Sequence, residues 1–449
     1  MHSAAGGAGG GPPPGSFSSA QKSKFPLIKH MKNPREIILH RSSSDSATLI
    51  ADNQELLLRI LHCLPPKSLI RFQVVSKKWL SIISSPDFRR LHCRKYPSTA
   101  ASSTAASALF LFRKIGGIRE LNFISLDQEY VNSMGGIFSR LTNFVNGEIL
   151  GLHSCNGLLC IEFNMNYSAR EFIVFNPTTN QHRVIPLVKP ANKLSYVHPY
   201  VNIAFDPSKS DHYKLVCAWG DSDRPKFRFL VYSSETGIWR EMVKTLCIVE
   251  SWSDKLSIFT EPYHFDRGVL WNGDLHWVCK TGDDTICFDL DNECVKPEMP
   301  DLPWSNGWHE VCYFGESGGE LYVIGLNNPQ TLLFNVFSLK RDYSQWVVKS
   351  YIDLTPLVTL YPAMVDQRYD PADEKMCDFH MPYFLVDEAN KKRRLVISLD
   401  GKVISYSIDD MTVKEIAEVE PGLLFCSLRD ATKYRWSEGC QHVETLACV

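Results

Sequence analysis

The N-terminal fold is decided by Glu55-Leu56-Leu57-Leu58-Arg59-Ile60-Leu61-His62-Cys63-Leu64-Pro65-Pro66-Lys67-Ser68-Leu69. The apolar side chains of this stretch recur every three or four positions, which places them on one face of a helix. Pro65-Pro66 cannot continue that helix, but proline fits the first turn of the next one. Ser76 and Ser85-Pro86 then predict two further helix starts. Helices this short cannot bury their apolar surface among themselves, so one face must pack against another domain or a partner.

The order and spacing of these helix signals resemble the F-box, the helical module that links substrate receptors to cullin–RING ubiquitin ligases. The matching segments are Leu64-Pro65-Pro66-Lys67-Ser68-Leu69, Val75-Ser76-Lys77-Lys78-Trp79 and Ser85-Pro86-Asp87-Phe88. The chain departs from the family pattern where Asp52-Asn53 replaces the opening Leu-Pro, which implies weaker contact with a Skp-type adaptor. The residues that the resemblance assigns to the adaptor contact are Leu56, Ile60, Leu64, Pro65, Leu69, Val75 and Trp79. A helical hairpin that only caps the next domain is the alternative.

Composition limits the remaining choices. The chain has 449 residues, enough for more than one domain, and its 48 Lys+Arg nearly balance 50 Asp+Glu. This balance argues against a protein that coats nucleic acid. An apolar content of 44% indicates a globular chain, and no apolar run approaches the ~20 residues that span a bilayer. We therefore expect a protein of the cytoplasm and/or nucleus without membrane contact.

Shifts in composition predict four segments. Residues 1–48 form a low-complexity tail rich in glycine and proline, which is too polar to fold alone. Residues 49–95 contain the F-box-like helices, and residues 96–107 form a Ser/Ala/Thr linker. Residues 108–449 consist of short aromatic and β-branched runs separated by turn residues, which is typical of β-structure.

The β segment repeats a unit of about fifty residues. Each copy has an aromatic-ended strand, a polar turn and a strand with Trp or a branched residue, and glycine opens the preceding strand in several copies. The aromatic markers are Phe123, Phe175, Tyr232, Phe288, Phe337 and Tyr406. Small twisted sheets must stack on neighbours, and a closed ring covers every face. The predicted fold is mostly β: a helical F-box followed by a kelch-like β-propeller of about six blades. A large β-sandwich is the alternative.

Two parts of the β segment resemble the F-box-associated domain of plant F-box proteins. The first is Ser154-Cys155-Asn156-Gly157-Leu158-Leu159-Cys160 with Phe175-Asn176-Pro177-Thr178-Thr179, and the second runs from Ala204-Phe205-Asp206-Pro207 to Tyr232. The resemblance implies a non-catalytic substrate-recognition subunit of an SCF-type E3 ubiquitin ligase. Its partners would be the Skp-type adaptor, through it cullin and RING subunits, and an unknown protein substrate. The alternative is a kelch-like interaction scaffold outside a ligase, or a sensor of a small ligand.

Long connections between strands are the expected place for substrate contacts, because blade cores are committed to packing. The candidates are residues 189–202, 249–264 and 355–380. Aromatic side chains there are plausible interface anchors. Those chosen as substrate-binding residues are Tyr196, Tyr200, Trp252 and Tyr263. The alternative is that these rings pack back over the propeller core.

Enzymatic and metal-binding alternatives have weaker support. His153, Cys155 and Cys160 are the only cluster that suggests zinc, and His264 or His276 near Tyr263 could suggest a copper oxidase. Buried packing roles are commoner for such residues. The basic run Lys391-Lys392-Arg393-Arg394 could serve nuclear import or phosphate binding, but a solvated loop explains it as well. We expect no catalytic residue, metal or cofactor, and no binding of nucleic acid.

Overall fold

The computed structural model describes residues 53–95, 106–115, 118–126, 148–165, 169–186, 200–220, 227–242, 267–278, 285–296, 299–304, 310–326, 331–365, 378–387, 392–418 and 439–449. The chain forms two compact units, Met1–Arg59 and Ile60–Val449. The predicted tail of residues 1–48 lies outside the described residues, as does the predicted linker up to residue 105. The domain boundaries inferred from composition stay a prediction.

Four helices lie where the sequence predicts them. They are α1 (Gln54–His62), α2 (Pro66–Phe72), α3 (Lys77–Ser84) and α4 (Pro86–Lys95). Ser76 caps α3, since its Oγ accepts a hydrogen bond from Trp79 N at 3.2 Å. Asn53 has the same role before α1, where its Oδ1 accepts from Leu56 N at 3.1 Å. The departure from the family pattern at Asp52-Asn53 therefore supplies a helix cap.

The rest of the described chain is a β-propeller of six antiparallel sheets. Its strands are β1 (Ala106–Ile115), β2 (Ile118–Ser125), β3 (Glu148–Cys155), β4 (Leu158–Met165), β5 (Ala169–Asn176), β6 (Gln181–Pro186), β7 (Tyr200–Ala204), β8 (Lys214–Gly220), β9 (Phe227–Ser233), β10 (Ile238–Glu241), β11 (Val269–Trp271), β12 (Asp274–Val278), β13 (Thr285–Asp289), β14 (Cys294–Lys296), β15 (Glu310–Ser317), β16 (Glu320–Leu326), β17 (Leu333–Leu339), β18 (Trp346–Asp353), β19 (His380–Val386), β20 (Arg393–Leu399), β21 (Lys402–Ser407), β22 (Thr412–Glu418) and β23 (Gly439–Val443). Blades two to six each take four consecutive strands from this series. The prediction of a mostly β chain with about six blades is confirmed.

The first blade closes the ring with strands from both ends of the β domain. Its order is β2-β1-β23, so the last strand of the chain is hydrogen-bonded to the first strand of the domain. Phe110 in β1 is paired with Cys440 in β23. Because the last strand pairs with the first strand of the domain, both ends of the β domain are held in one blade, and the ring is closed.

The aromatic markers of the sequence repeat all occupy the third strand of a blade, counted from the ring axis. They lie on β2, β5, β9, β13, β17 and β21. Phe175 and Phe288 are fully buried, and Phe337 nearly so. The predicted glycine-opened strands at Gly157, Gly273 and Gly319 lie directly before β4, β12 and β16, which are second strands. The repeat thus corresponds to the two middle strands of the four-stranded blades.

The hydrophobic cores lie between neighbouring blades. One core joins Phe110 and Cys440 of the first blade to Phe175 and Leu159 of the second. Another joins Val231 of the third blade to Phe288 of the fourth. Each sheet therefore buries both faces against its neighbours, as expected for units that cannot fold singly. Within the described residues, no helix is long and apolar enough to cross a membrane.

The connection after β18 begins with ordered structure. Helix α5 (Thr355–Leu360) and a 3-10 helix, Pro362–Met364, follow the strand. Leu357 and Met364 are buried in the core shared by the fifth and sixth blades. The Tyr361 hydroxyl donates to Glu415 Oε1 at 3.3 Å. The described half of the predicted loop 355–380 therefore packs over the propeller, and residues 366–377 lie outside the described residues.

Gly157→Ala should destabilise the propeller by blocking its closing strand. At Gly157 φ is +85°, and an added Cβ would lie 2.6 Å from the Val443 carbonyl oxygen. Gly237→Ala is the matched control, since φ is +70° there and nothing lies within 4 Å of an added Cβ. Left-handed backbone costs both variants about 1 kcal/mol. The clash should cost Gly157→Ala at least about 1 kcal/mol more in the free energy of unfolding, as measured by urea denaturation. Equal losses would contradict tight packing of the closing strand.

Candidate functional site

Helix α4 is joined to the second and third blades by arginine side chains. Arg89 is only 8% exposed, and its guanidinium donates to the Ile83 carbonyl at 3.3 Å and to Gln181 Oε1 at 3.0 Å. Arg90 and Arg94 form ion pairs with Asp211 at 3.4 and 3.5 Å. Half-exposed ion pairs of this kind contribute only about 0–1 kcal/mol each. The buried arginine, whose donors need partners, is therefore the stronger link.

The chain terminus after β23 forms a second link to the helices. Lys67 N donates to Glu444 Oε2 at 3.1 Å, at the start of α2. The N-cap residue of α2 is Pro65, which provides no side-chain acceptor. Cys93 Sγ of α4 lies 3.6 Å from Thr445 Oγ1. The segment after β23 therefore supplies a side-chain acceptor for a backbone N–H of α2, which Pro65 cannot provide.

Two sequence motifs of the second blade hold this terminal segment. Asn176 Nδ2 donates to the carbonyl oxygens of Thr445 and Ala447, at 3.1 and 2.7 Å. Thr445 N in turn donates to Thr178 Oγ1 at 3.2 Å. Gly157 has no Cβ that would displace Val443 and Thr445. Sequence reasoning recognised Asn176-Pro177-Thr178-Thr179 and Asn156-Gly157 as family marks but assigned them no partner.

Two cavities adjoin these elements. One of about 350 Å³ lies between α4, the β7–β8 turn and the chain terminus. The other, of about 530 Å³, is lined by the innermost strand or the following turn of each blade and therefore lies on the ring axis. Its charged lining consists of Asp206, Arg267, Glu316 and Arg341. Among the lining residues that the structure describes, two cations balance two anions, so this part of the lining favours neither an anionic nor a cationic ligand.

Family comparisons agree with this architecture. Residues 120–435 match the family model of the F-box associated beta propeller domain, and residues 53–91 match that of the F-box domain. The chain belongs to the F-box-associated β-propeller family. Both resemblances found in the sequence are thereby confirmed, and α1–α4 are its F-box.

Relatives found by sequence include F-box proteins of Arabidopsis thaliana. F-box protein At5g07610 is 30% identical over 448 residues, which cover 93% of this chain and 98% of that protein. F-box protein At5g49610 is 27% identical over 326 residues, which cover 69% of this chain and 81% of that protein. Among solved structures, a chain of a nidogen–laminin complex aligns with a TM-score of 0.38 and 11% identity, covering 75% of this chain and 99% of that one.

Four of the residues predicted to contact the adaptor are exposed in the F-box, two on α1 and two in the connections on either side of α2. They are Leu56, Ile60, Pro65 and Val75. Val75 is 57% exposed, and its neighbour Val74 is 89% exposed. Leu80 and Leu91 are also exposed, although the sequence analysis did not select them. Apolar side chains this exposed are available to a partner.

The other three predicted adaptor residues are less accessible. Leu69 is fully buried, so its side chain supports the helices from within. Leu64 is half-buried, and its carbonyl oxygen accepts from His92 Nε2 at 2.8 Å. Trp79 is half-buried as well and packs edge-on against Phe72, with ring centroids 5.4 Å apart. The contact of all seven residues with an adaptor stays a prediction.

The residues predicted to bind substrate fall mostly outside the described chain. Tyr196, Trp252 and Tyr263 lie beyond the described residues, and Tyr200 begins β7 with its side chain undescribed. The ends of the flanking strands can nevertheless be located. The β3–β4 and β5–β6 turns face the terminal segment and the F-box. Because strands alternate in direction, β6 and β10 end at the opposite side of the ring.

His153, the candidate zinc ligand, ties three blades together. Ile203 N donates to its Nδ1 at 3.0 Å, so the ring proton is on Nε2, which donates to the Gly268 carbonyl at 2.7 Å. Burial lowers the pKa of His153 to about 4. Cys155 Sγ lies 3.4 Å from both the backbone N and the carbonyl oxygen of Phe205. With both ring nitrogens engaged, these side chains fit inter-blade bonding better than metal ligation.

The other candidate chemistry also has structural partners. Burial lowers the pKa of His276 to about 4, and its Nε2 lies 3.1 Å from the Tyr343 hydroxyl, which donates to Asp274 Oδ2 at 3.0 Å. This network bridges the fourth and fifth blades. Among the described residues, no group of three or more His, Cys, Asp or Glu side chains is placed to hold a metal ion.

Two residues of the basic run, Lys392 and Arg393, form ion pairs within their own blade, and Lys391 lies outside the described residues. Arg393 forms an ion pair with Asp409 at 2.6 Å, and Lys392 forms one with Asp410 at 2.8 Å. The first pair also includes a backbone hydrogen bond from Arg393 N to Asp409 Oδ2 at 2.7 Å. These partners join the β19–β20 and β21–β22 turns. They favour the interpretation of a solvated charge cluster over a phosphate-binding patch.

Burial of neutral histidines should make the propeller sensitive to acid. The pKa of His153 falls from 6.5 to about 4 on folding, so its stabilisation is complete above pH 6.5 and is lost as the pH falls toward 4. Each such histidine contributes up to about 1.4 kcal/mol per pH unit in that window. His153→Gln should therefore lose less stability between pH 7 and pH 5 than the wild type, by urea denaturation. Exposed His212→Gln is the control; an unchanged pH slope in His153→Gln would contradict the assignment.

Proposed function

We propose that this chain is the substrate-recognition subunit of an SCF-type E3 ubiquitin ligase. The F-box binds a Skp-type adaptor, and through it cullin and RING subunits, while the propeller binds a protein substrate. The chain contributes no catalytic residue. It acts by holding the substrate near a charged ubiquitin-conjugating enzyme, which raises the effective concentration of the acceptor lysine. Its proposed location is the cytoplasm, the nucleus or both.

The observation that carries this proposal is the apolar surface of the F-box helices. The exposed fraction is 39% for Ile60, 57% for Val75 and 46% for Leu80. Other apolar residues of the F-box, such as Ile83, are fully buried. A helical module that has completed its core and still exposes branched side chains has surface available for a partner. Because residues 53–91 match the F-box domain, we propose a Skp-type adaptor as the partner of this surface.

The placement of the F-box supports binding of the adaptor at one end of the ring and of the substrate at the other. Arg89 and Asp211 hold the helices at the end of the ring that carries the β5–β6 and β7–β8 turns. Strands β6 and β10 end at the other end of the ring. A substrate bound there would not compete with the adaptor for space. Loops carried on a rigid scaffold are the usual place for recognition.

Val75→Lys should weaken adaptor binding without unfolding the chain. Val75 is 57% exposed on the F-box, so lysine is tolerated in the free protein but places a charge in an apolar contact. The expected loss is tenfold or more in Kd, about 1.4 kcal/mol, measured by calorimetry with a purified Skp-type adaptor. The matched control is Val348→Lys, which alters a valine 49% exposed on the propeller. Equal affinity of both variants for the adaptor would place the contact elsewhere, and no binding by the wild type would reject the proposed function.

Substitution of the loop aromatics should release the substrate and leave the adaptor bound. The variants are Tyr196→Ala with Tyr200→Ala, and Trp252→Ala with Tyr263→Ala. Val75→Lys in the full chain serves as the background, because a receptor detached from the ligase should accumulate captured proteins. Quantitative mass spectrometry of the co-purified proteins measures the loss, and the melting temperature shows whether the fold is kept. If both double variants capture the same proteins as the background, the substrate surface lies elsewhere.

A further inference from the structure

Helix α2 lies at the centre of the segment that characterises the F-box, yet it lacks a cap of its own. Its first residue is Pro66 and its N-cap residue is Pro65, so no side chain there can accept from the free backbone N–H groups. Lys67 N donates instead to Glu444 Oε2 at 3.1 Å. An acceptor from the far end of the chain thus completes the start of this helix.

Closure of the ring places Glu444 at this position. Glu444 follows β23, whose pairing with β1 closes the first blade. On its other side Thr445 is held by Asn176 and Thr178 of the second blade. The residue is therefore fixed from both sides by propeller contacts. Its position depends on the propeller, and it touches the F-box.

The surroundings of Glu444 disfavour its charged form. Burial raises the pKa of Glu444, and this effect exceeds the opposing effects of the Lys67 N–H donor and of the nearby Lys67 and Arg71 side chains. A raised carboxyl pKa means that ionisation of Glu444 costs folding free energy at neutral pH. Glutamine has an acceptor oxygen at the same place without that cost, so Glu444→Gln should keep the helix start intact.

We propose that Glu444 is a positioning residue for adaptor binding: the terminal segment of the substrate domain holds the Pro65–Pro66 helix start in the conformation that the adaptor recognises. The inference rests on the proposed function, because it assigns Glu444 a role in the same adaptor contact. Leu64 and Pro65 directly precede the capped turn, so a frayed turn would move them. The affinity of the F-box for the adaptor then depends on a closed propeller.

The test compares Glu444→Ala and Glu444→Gln in the full chain. Loss of a helix cap reduces the population of the competent conformation, and we expect Glu444→Ala to weaken adaptor binding about fivefold, equivalent to about 1 kcal/mol. Glu444→Gln should bind as the wild type does. Hydrogen exchange of the α2 backbone should be faster in the alanine variant alone. Exposed Glu235→Ala, in the β9–β10 turn, is the control and should change neither measurement.

The outcomes separate this inference from the proposed function. Val75→Lys should lose adaptor affinity with normal exchange in α2, whereas Glu444→Ala should lose affinity together with faster exchange. Wild-type adaptor affinity in Glu444→Ala, even with a lower melting temperature, would show that Glu444 is only structural and would overturn the inference alone. A glutamine variant as weak as the alanine variant would overturn the hydrogen-bond assignment. A wild-type chain that does not bind the adaptor would overturn the proposed function and this inference with it.

Discussion

The pairing of β23 with β1 is the constraint on which the rest of this molecule depends. A propeller blade has two apolar faces, so an open ring would leave the faces of its first and last blades in water. The first blade that this pairing completes packs on both sides: Phe110 and Cys440 belong to the same core as the second blade, and Leu109 and Leu111 belong to the core of the sixth. The residues that follow β23 then continue to the helices. One strand therefore completes the β domain and begins the link to the F-box.

Local sequence signals were sufficient for the fold. Helix starts at Ser76 and Pro86 are signalled by side chains next to them, and the blade repeat is visible because each third strand ends in an aromatic residue such as Phe175 or Phe288. Such patterns depend on neighbours within a few residues. The number of blades and the identity of the second and third strands could accordingly be predicted.

The junction could not be predicted, because its contacts join residues far apart in sequence. Glu444 is one carboxylate among many until the ring closes, and Asp211 meets Arg90 only after the third blade folds. His153 illustrates the same limit. Beside Cys155 it suggested zinc, whereas the strands of two other blades occupy both of its ring nitrogens. A spacing pattern identifies polar groups that need partners, but it does not say which distant backbone provides them.

The cap on α2 has a consequence for the order in which the protein matures. Synthesis begins at the N terminus, so Pro65 and Lys67 leave the ribosome long before Glu444 is made. The acceptor for Lys67 N exists only once the final strand has been inserted, and bringing such distant segments together is entropically slow. A chain that ends early, through a premature stop codon or proteolysis, lacks both the closing strand and the cap. The segment after β23 thereby distinguishes chains that have closed the ring from chains that have not.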